Sequence, residues 1–422
     1  EHPVVSYDGQ FSVSNVTKTM DMLDAYEFAQ IFKEARDGAY LFNVPTGSID
    51  DPYESRPQTY HRVDPLITAY LQDKTGTMVN TDWQDAIFRT AYSTKHSLSI
   101  SGRTKSINYF VGANYLYREG TIIGSDFERY GLRVNLDGKR NRLKYGVSFS
   151  PSYSKSNYVD ADAQYGGDGV IASALMAPPV FPVYNSDGSY NWDMNGFLRI
   201  NTWDTQTNEV LNPVALALEI DDIREKLNIL GNVFASYEFI KGLEYKITAG
   251  GDYYSYIRNY YRPSSLPLRG YKYLDAQSTP QANYYNNNYF HWPLSNQLSF
   301  NRTFGDHTVT ALALFNQREN VKGTAFPYHS QGVVGRVTYD YKHKYLFECN
   351  LGYTGSEQFS PENRYGFFPS VAIGWVPSQE RFWKEAMPWW SKMKIRYSDG
   401  LVGSDSGSRW LYFSDYVKGG DS

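Results

Sequence analysis

The chain has 422 residues, with 41 Lys and Arg against 45 Asp and Glu, a net charge of −4 and a mean hydropathy of −0.53. Its basic residues are scattered, which excludes an electrostatic footprint for nucleic acid, and its single cysteine, Cys349, excludes an internal disulfide framework or a multi-cysteine metal site. Aromatic residues make up 17 %, with 38 Tyr and 9 Trp, so the chain is rich in rings that are part apolar and part polar but poor in continuous apolar sequence.

No basic region followed by an apolar stretch opens the sequence, so no signal peptide is expected in residues 1–422. The first long link, residues 15 to 93, contains DMLDAYEFAQIFKEARDG at 21 to 38. Leu23, Ala25, Phe28, Ala29, Phe32 and Ala35 lie along one stripe, which predicts a helix stopped at Gly38 and packed on the rim of whatever follows. From there apolar and polar residues alternate with period two in segment after segment. INYFVGANYLY (107–117), RYGLRVNLD (129–137), LKYGVSFSPSY (143–153), LEYKITAGGDY (243–253), TVTALALFN (308–316), GRVTYDY (335–341) and YLFECNLGY (345–353) show it. About thirteen such strands are expected, each of roughly 9 to 13 residues, which is long for a soluble domain and matches the ~9 to 11 needed to cross a bilayer obliquely.

The connections alternate too. Tight polar turns at 102–106, 137–141, 240–242, 305–307 and 341–344 are separated by longer links at 15–93, 119–127, 156–225, 257–292, 318–331 and 355–365. Short turns at one end and long loops at the other are the layout of an outer-membrane barrel; the FWKEAMPWW segment within 377–391 breaks the rhythm. The longest weakly polar run, residues 170–183, is interrupted by Pro178, Pro179 and Pro182 and is too short for the ~20 residues of a spanning helix. The fold class expected is therefore all-β, an antiparallel transmembrane barrel in which Leu143, Tyr145, Val147 and Phe149 face lipid. Arg133, Lys144, Ser148, Glu244, Lys246, Asp252 and Arg336 would face a wet interior. A soluble propeller or sandwich that binds or degrades polysaccharide is the alternative, with the apolar rows turned inward.

Chemistry is sparse. The seven histidines show no metal-ligand spacing, and no nucleophile elbow, phosphate loop or acid–base carboxylate pair is present, so catalysis is not expected. Cys349 sits in an apolar row and reads as a small hydrophobe. Asp160, Asp162 and Asp168 in DADAQYGGDG resemble a calcium loop without its closing glutamate; a structural cation there is a minor expectation and no other cofactor is expected. The links at 156–225 and 257–292 interleave rings with Asn, and planar rings stack on sugar C–H faces while amides bond hydroxyls. Tyr184, Tyr190, Trp192, Trp203, Tyr285, Tyr289 and Trp292 are the candidate substrate contacts, although Tyr and Trp also collect at membrane boundaries.

Specific strings go further. TDWQDAIFRTA (81–91), SISGRTKSINYFVGANYLYREGTI (99–122) and RYGLRVNLD resemble the start of the barrel in SusC/RagA-type TonB-dependent transporters. SPENRYGFFPSVAIGWVPSQERFWKE (360–385) and KIRYSDGLVGSD (394–405) resemble two later signatures of that family, with Arg103 where a second glycine is usual. The resemblance implies that residues 1–422 form the N-terminal part of a 22-stranded barrel, with the plug and the last strands outside this sequence. It further implies residence in the outer membrane of a Gram-negative bacterium, a SusD-like surface lipoprotein as partner, energisation through TonB–ExbB–ExbD, and pairing of two SusC–SusD units. The function it implies is import of oligosaccharides or, in the same family, of peptides.

Overall fold

A computed structural model describes residues 1–422 apart from 1, 74, 163–168, 193, 195–209, 267–279, 323–327, 407–411 and 413–422. Thirteen strands form one antiparallel sheet in chain order, each bonded to its sequence neighbours. They are β1 (Val4–Ser14), β2 (Ala91–Arg103), β3 (Ile107–Glu119), β4 (Asp126–Arg140), β5 (Leu143–Asn157), β6 (Asp221–Ile240), β7 (Leu243–Arg262), β8 (Gln281–Phe304), β9 (His307–Lys322), β10 (Tyr328–Tyr341), β11 (Tyr345–Ser356), β12 (Tyr365–Trp375) and β13 (Ile395–Gly400). Among the described residues β1 and β13 each have one partner, so the sheet has two open edges.

The predicted turns fall where expected, all at one end of the sheet. In the β6–β7 turn Gly242 adopts φ +89°, and a Cβ there would run into the Asn301 carbonyl, so glycine is required. The link between β12 and β13 is tied down by Glu380, which takes Lys344 Nζ at 2.7 Å and the Tyr345 hydroxyl at 2.8 Å. Several strands outrun the prediction. β6 and β7 have 20 residues and β8 has 24, so the YYNNNYFHW stretch expected in a loop lies within β8.

The two faces of the sheet differ as the alternation predicted. On one face His96, Tyr115, Tyr130 and Tyr153 are register partners across four strands, with ring centroids 6.4 Å apart for His96–Tyr115 and 5.0 Å for Tyr115–Tyr130. Toward the short turns a second aromatic row on that face contains Tyr145, Tyr245, Tyr345 and Trp375. Tyr145 and Tyr153, Tyr245 and Tyr253, and Tyr345 and Tyr353 are each separated by eight residues, about 27 Å of strand at ~3.4 Å per residue. At a tilt of ~40° this spans about 21 Å, close to the ~25 Å apolar band between the aromatic girdles of outer-membrane barrels. Between the rows, on this face of β2 to β12, stand uncharged residues such as Leu98, Val111, Leu132, Val147, Val233, Ile247, Leu298, Val337, Cys349 and Val371; Glu319 of β9, opposite Trp292 at the outer end of the band, is an exception. On the edge strand β13, Asp399 opposite Val371 departs from this.

The other face is polar and internally bonded. Lys144 reaches Glu244 at 2.5 Å across β5 to β7, and Ser148 bonds Asn135 at 2.9 Å. It is not purely polar: Phe234 and Phe368 lie here, on the face opposite Phe149. Lys246 stands over the Phe234 ring at 4.5 Å, which gives that ring a polar neighbour.

Buried apolar residues concentrate in the links. Helix α1 (Ala25–Asn43) begins at Asp24, which accepts the Glu27 N–H in a capping box, and it runs past Gly38 because Tyr40, buried and bonded to Asp51 at 2.6 Å, holds the last turn. It packs with α2 (Pro65–Gln72), α3 (Trp83–Ile87), α4 (Val170–Met176) and α5 (Pro213–Glu219) into a cluster containing Ala29, Ile67, Ile87, Val170, Leu211 and Ala215. No helix among the described residues is long and apolar enough to cross a membrane, which says nothing about strands.

Candidate functional site

Even-numbered positions on β6 and β7 and odd-numbered ones on β8 turn toward the polar face, and beyond the aromatic row these strands bring chemistry together there. From β6 come Asp222, Arg224, Lys226 and Asn228; from β7 Tyr254, Tyr256, Arg258, Tyr260 and Arg262; from β8 Asn283, Tyr285, Asn287 and Tyr289. Asp222 is 4 % exposed at its side chain and is gripped twice. Arg224 donates Nε and Nη2 to its two oxygens at 3.2 and 2.8 Å, and Arg258 does the same at 2.7 and 2.8 Å. Arg224 lies over the Tyr158 ring at 3.5 Å and Arg258 over Tyr260 at 5.3 Å, so both guanidinium planes are fixed by stacking as well as by hydrogen bonds.

Alongside this charged group runs an aromatic strip. Tyr254 stacks on Tyr289 at 5.2 Å, Tyr256 meets the edge of Tyr285 at 5.9 Å, and Lys226 stands 5.6 Å above Tyr256. Rings with amides beside them can hold a ligand that has both flat C–H faces and hydroxyls. A second hollow of about 800 Å³ opens at β8 to β12, where Gln297, Asn316 and Thr354 stand beside the apolar Leu314, Phe359 and Phe368.

The sequence-derived candidates separate into groups. Tyr285 and Tyr289 stand on the polar face within the strip. Trp292 is three residues further along β8 and so points to the opposite face, where its indole N–H donates to Glu319 at 2.8 Å; the shift from loop to strand reverses its expected direction. Tyr184, Tyr190 and Trp192 form a separate group in the 158–220 link, with ring centroids 5.2 and 6.3 Å apart. Tyr190 and Trp192 pack against the buried cluster, and burial pushes the Tyr190 hydroxyl up to about 12, so it stays a protonated donor. Trp203 lies outside the described residues, as does Asp168 of the suggested cation loop, in which the Asp160 carboxylate accepts the Asp162 N–H at 3.3 Å. Tyr254, Tyr256 and the arginine group were missed. Their signal was present in the parity of DYYSYIRNYYR, where Tyr254, Tyr256, Arg258, Tyr260 and Arg262 share one face.

No family model matches the chain. It is 28 % identical over 440 residues to TonB-dependent receptor P3 of Formosa agariphila, an alignment covering 96 % of this chain and 38 % of that protein. It is also 28 % identical over 387 residues to TonB-dependent receptor SusC of Bacteroides thetaiotaomicron, covering 80 % and 36 %. The chain thus spans well under half the length of these curated relatives. Its fold matches the RagAB peptide importer in the closed-closed state with a TM-score of 0.66 at 18 % identity, over 95 % of this chain and 47 % of that one. For the open-open state the TM-score is 0.67 at 17 % identity. The likeness to SusC/RagA-type TonB-dependent receptors carried by residues 81–137 and 360–405 therefore holds in sequence and in fold, and the thirteen strands are barrel wall.

Proposed function

We propose that this chain, similar to SusC/RagA-type TonB-dependent receptors, supplies barrel wall to an outer-membrane importer of oligosaccharides, in which it transports rather than catalyses. The carrying observation is the two-faced sheet: an apolar band between two aromatic rows on one side, charged only at its outer end by Glu319, and on the other a hydrogen-bonded face with Tyr and Asn gathered on β7 and β8. The band suits lipid, which saturates apolar side chains but no charge. The ringed, amide-rich face suits solute. In the complete receptor a SusD-like lipoprotein and the external loops hold the glycan, TonB acts on the plug, and solute passes along the polar face. A structural calcium at Asp160 and Asp162 would stiffen one external loop.

A second reading, import of peptides, is favoured by the fold neighbours named as peptide importers. The full-length receptor with its lipoprotein, in detergent, should bind an oligosaccharide series in isothermal titration and leave a series of unrelated peptides unbound. Binding of peptides alone would reverse the choice. Release of the protein from cells by salt without detergent would remove both readings.

A further inference from the structure

The cleft around Asp222 asks for more than a neutral sugar. It has a volume of about 510 Å³, within the range of ligand pockets, and three guanidiniums and two carboxylates line it. One carboxylate, Asp222, is buried with both oxygens used by Arg224 and Arg258; the other, Asp160, is at the exposed rim. Asp222 engages the same Nε–Nη2 edge of each arginine, and among the described residues no acceptor bonds the Nη1 of either, so that edge can meet a ligand. Arg262, 4 % exposed, forms part of the wall. Burying a carboxylate under two arginines is costly unless the geometry serves a purpose, and here it fixes two forked donors at the edge of an aromatic strip.

We infer that this cleft recognises an anionic substituent, carboxylate or sulfate, on the oligosaccharide, with Arg224 and Arg258 as its donors and Asp222 as the residue that positions them. The inference rests on the oligosaccharide reading and narrows it to acidic glycans. Tyr285, opposite Arg258 across the β7–β8 register, and Asn283 beside it would then meet the ring that bears the charge.

The test uses the full-length receptor with its lipoprotein on an array of uronate-bearing, sulfated and neutral oligosaccharides and acidic peptides, comparing the unaltered protein with Arg258→Gln and Arg258→Lys. Intact heat-modifiable gel mobility in each variant certifies the barrel. The expected result is binding confined to uronate or to sulfated oligosaccharides, at least tenfold weaker in Arg258→Gln and partly restored in Arg258→Lys, and the retained class tells carboxylate from sulfate. Binding of neutral oligosaccharides as strong as that of acidic ones, or acidic binding indifferent to Arg258→Gln, would overturn the inference and leave the importer of oligosaccharides standing. Binding of peptides alone would overturn both.

Discussion

Apolar side chains meet opposite fates in the two parts of this molecule. In the links, Ile67, Ile87 and Leu211 are fully buried, while in β5 Leu143, Tyr145, Val147 and Phe149 stay 39 to 40 % exposed in a regular row. The residue types are similar; the media differ. The link cluster lives in water and must cover itself, as any small hydrophobic core does. The strand rows are satisfied by hydrocarbon, and their boundaries are marked by tyrosine and tryptophan, whose rings favour the interface. Burial therefore reports what solvent each region was built for, and an exposed valine in β5 is no defect.

Substitutions sharpen that contrast in descending order of effect. Ile87→Ala empties a fully buried site and should cost the link cluster about 2 to 5 kcal/mol. It should appear as faster proteolysis within the 15–90 link while the barrel's gel mobility is unchanged. Val147→Arg should cost ~2 to 4 kcal/mol in bilayer folding titrations, whereas Ser148→Arg, one residue along and on the polar face, should be tolerated. Asp24→Ala removes the α1 cap and should cost about 1 kcal/mol of cluster stability, measured by the same proteolysis. The weakest effect is Lys144→Met. Both partners of its ion pair are partly exposed, so the loss should be at most ~1 kcal/mol and should shrink in high salt.

Acid separates the two regions independently. His61 is buried beneath Arg56 in the link cluster, and burial, with the charges of Arg56 and Arg36, lowers its affinity for a proton. A depressed histidine favours the folded state while neutral. The cluster should therefore keep its full stability above the unfolded imidazole value near ~6.5 and lose it as pH falls below. Proteolysis of the links at pH 7.5 and pH 5 should show this, and His61→Phe should flatten the difference.

What was readable in the sequence follows the same division. Strand number, turn positions and facing were legible wherever one face meets lipid and the other water, because only there does alternation carry contrast. The long ends of β6, β7 and β8 were not. Beyond the aromatic row both faces are wet, as Asn286 and Asn288 on one side and Tyr285 and Asn287 on the other show, and pairing register alone extends the strand. Gly38 suggested a stop worth about 1 kcal/mol, which the buried contacts of Tyr40 outweigh. The arginine cleft joins residues 36 positions apart, Asp222 and Arg258, through a register no local pattern encodes. Conversely, the strings at 81–137 and 360–405 carried the likeness to SusC/RagA-type receptors, which periodicity alone does not name.

The central claim is that one face of this sheet meets hydrocarbon. Bimane attached at single cysteines from 143 to 149, in a full-length receptor with Cys349→Ser and every other cysteine likewise replaced, reconstituted with spin-labelled lipid, measures it directly. Quenching should be strong at 143, 145, 147 and 149 and weak at 144, 146 and 148. Equal quenching along the run, or the opposite phase, would contradict the claim.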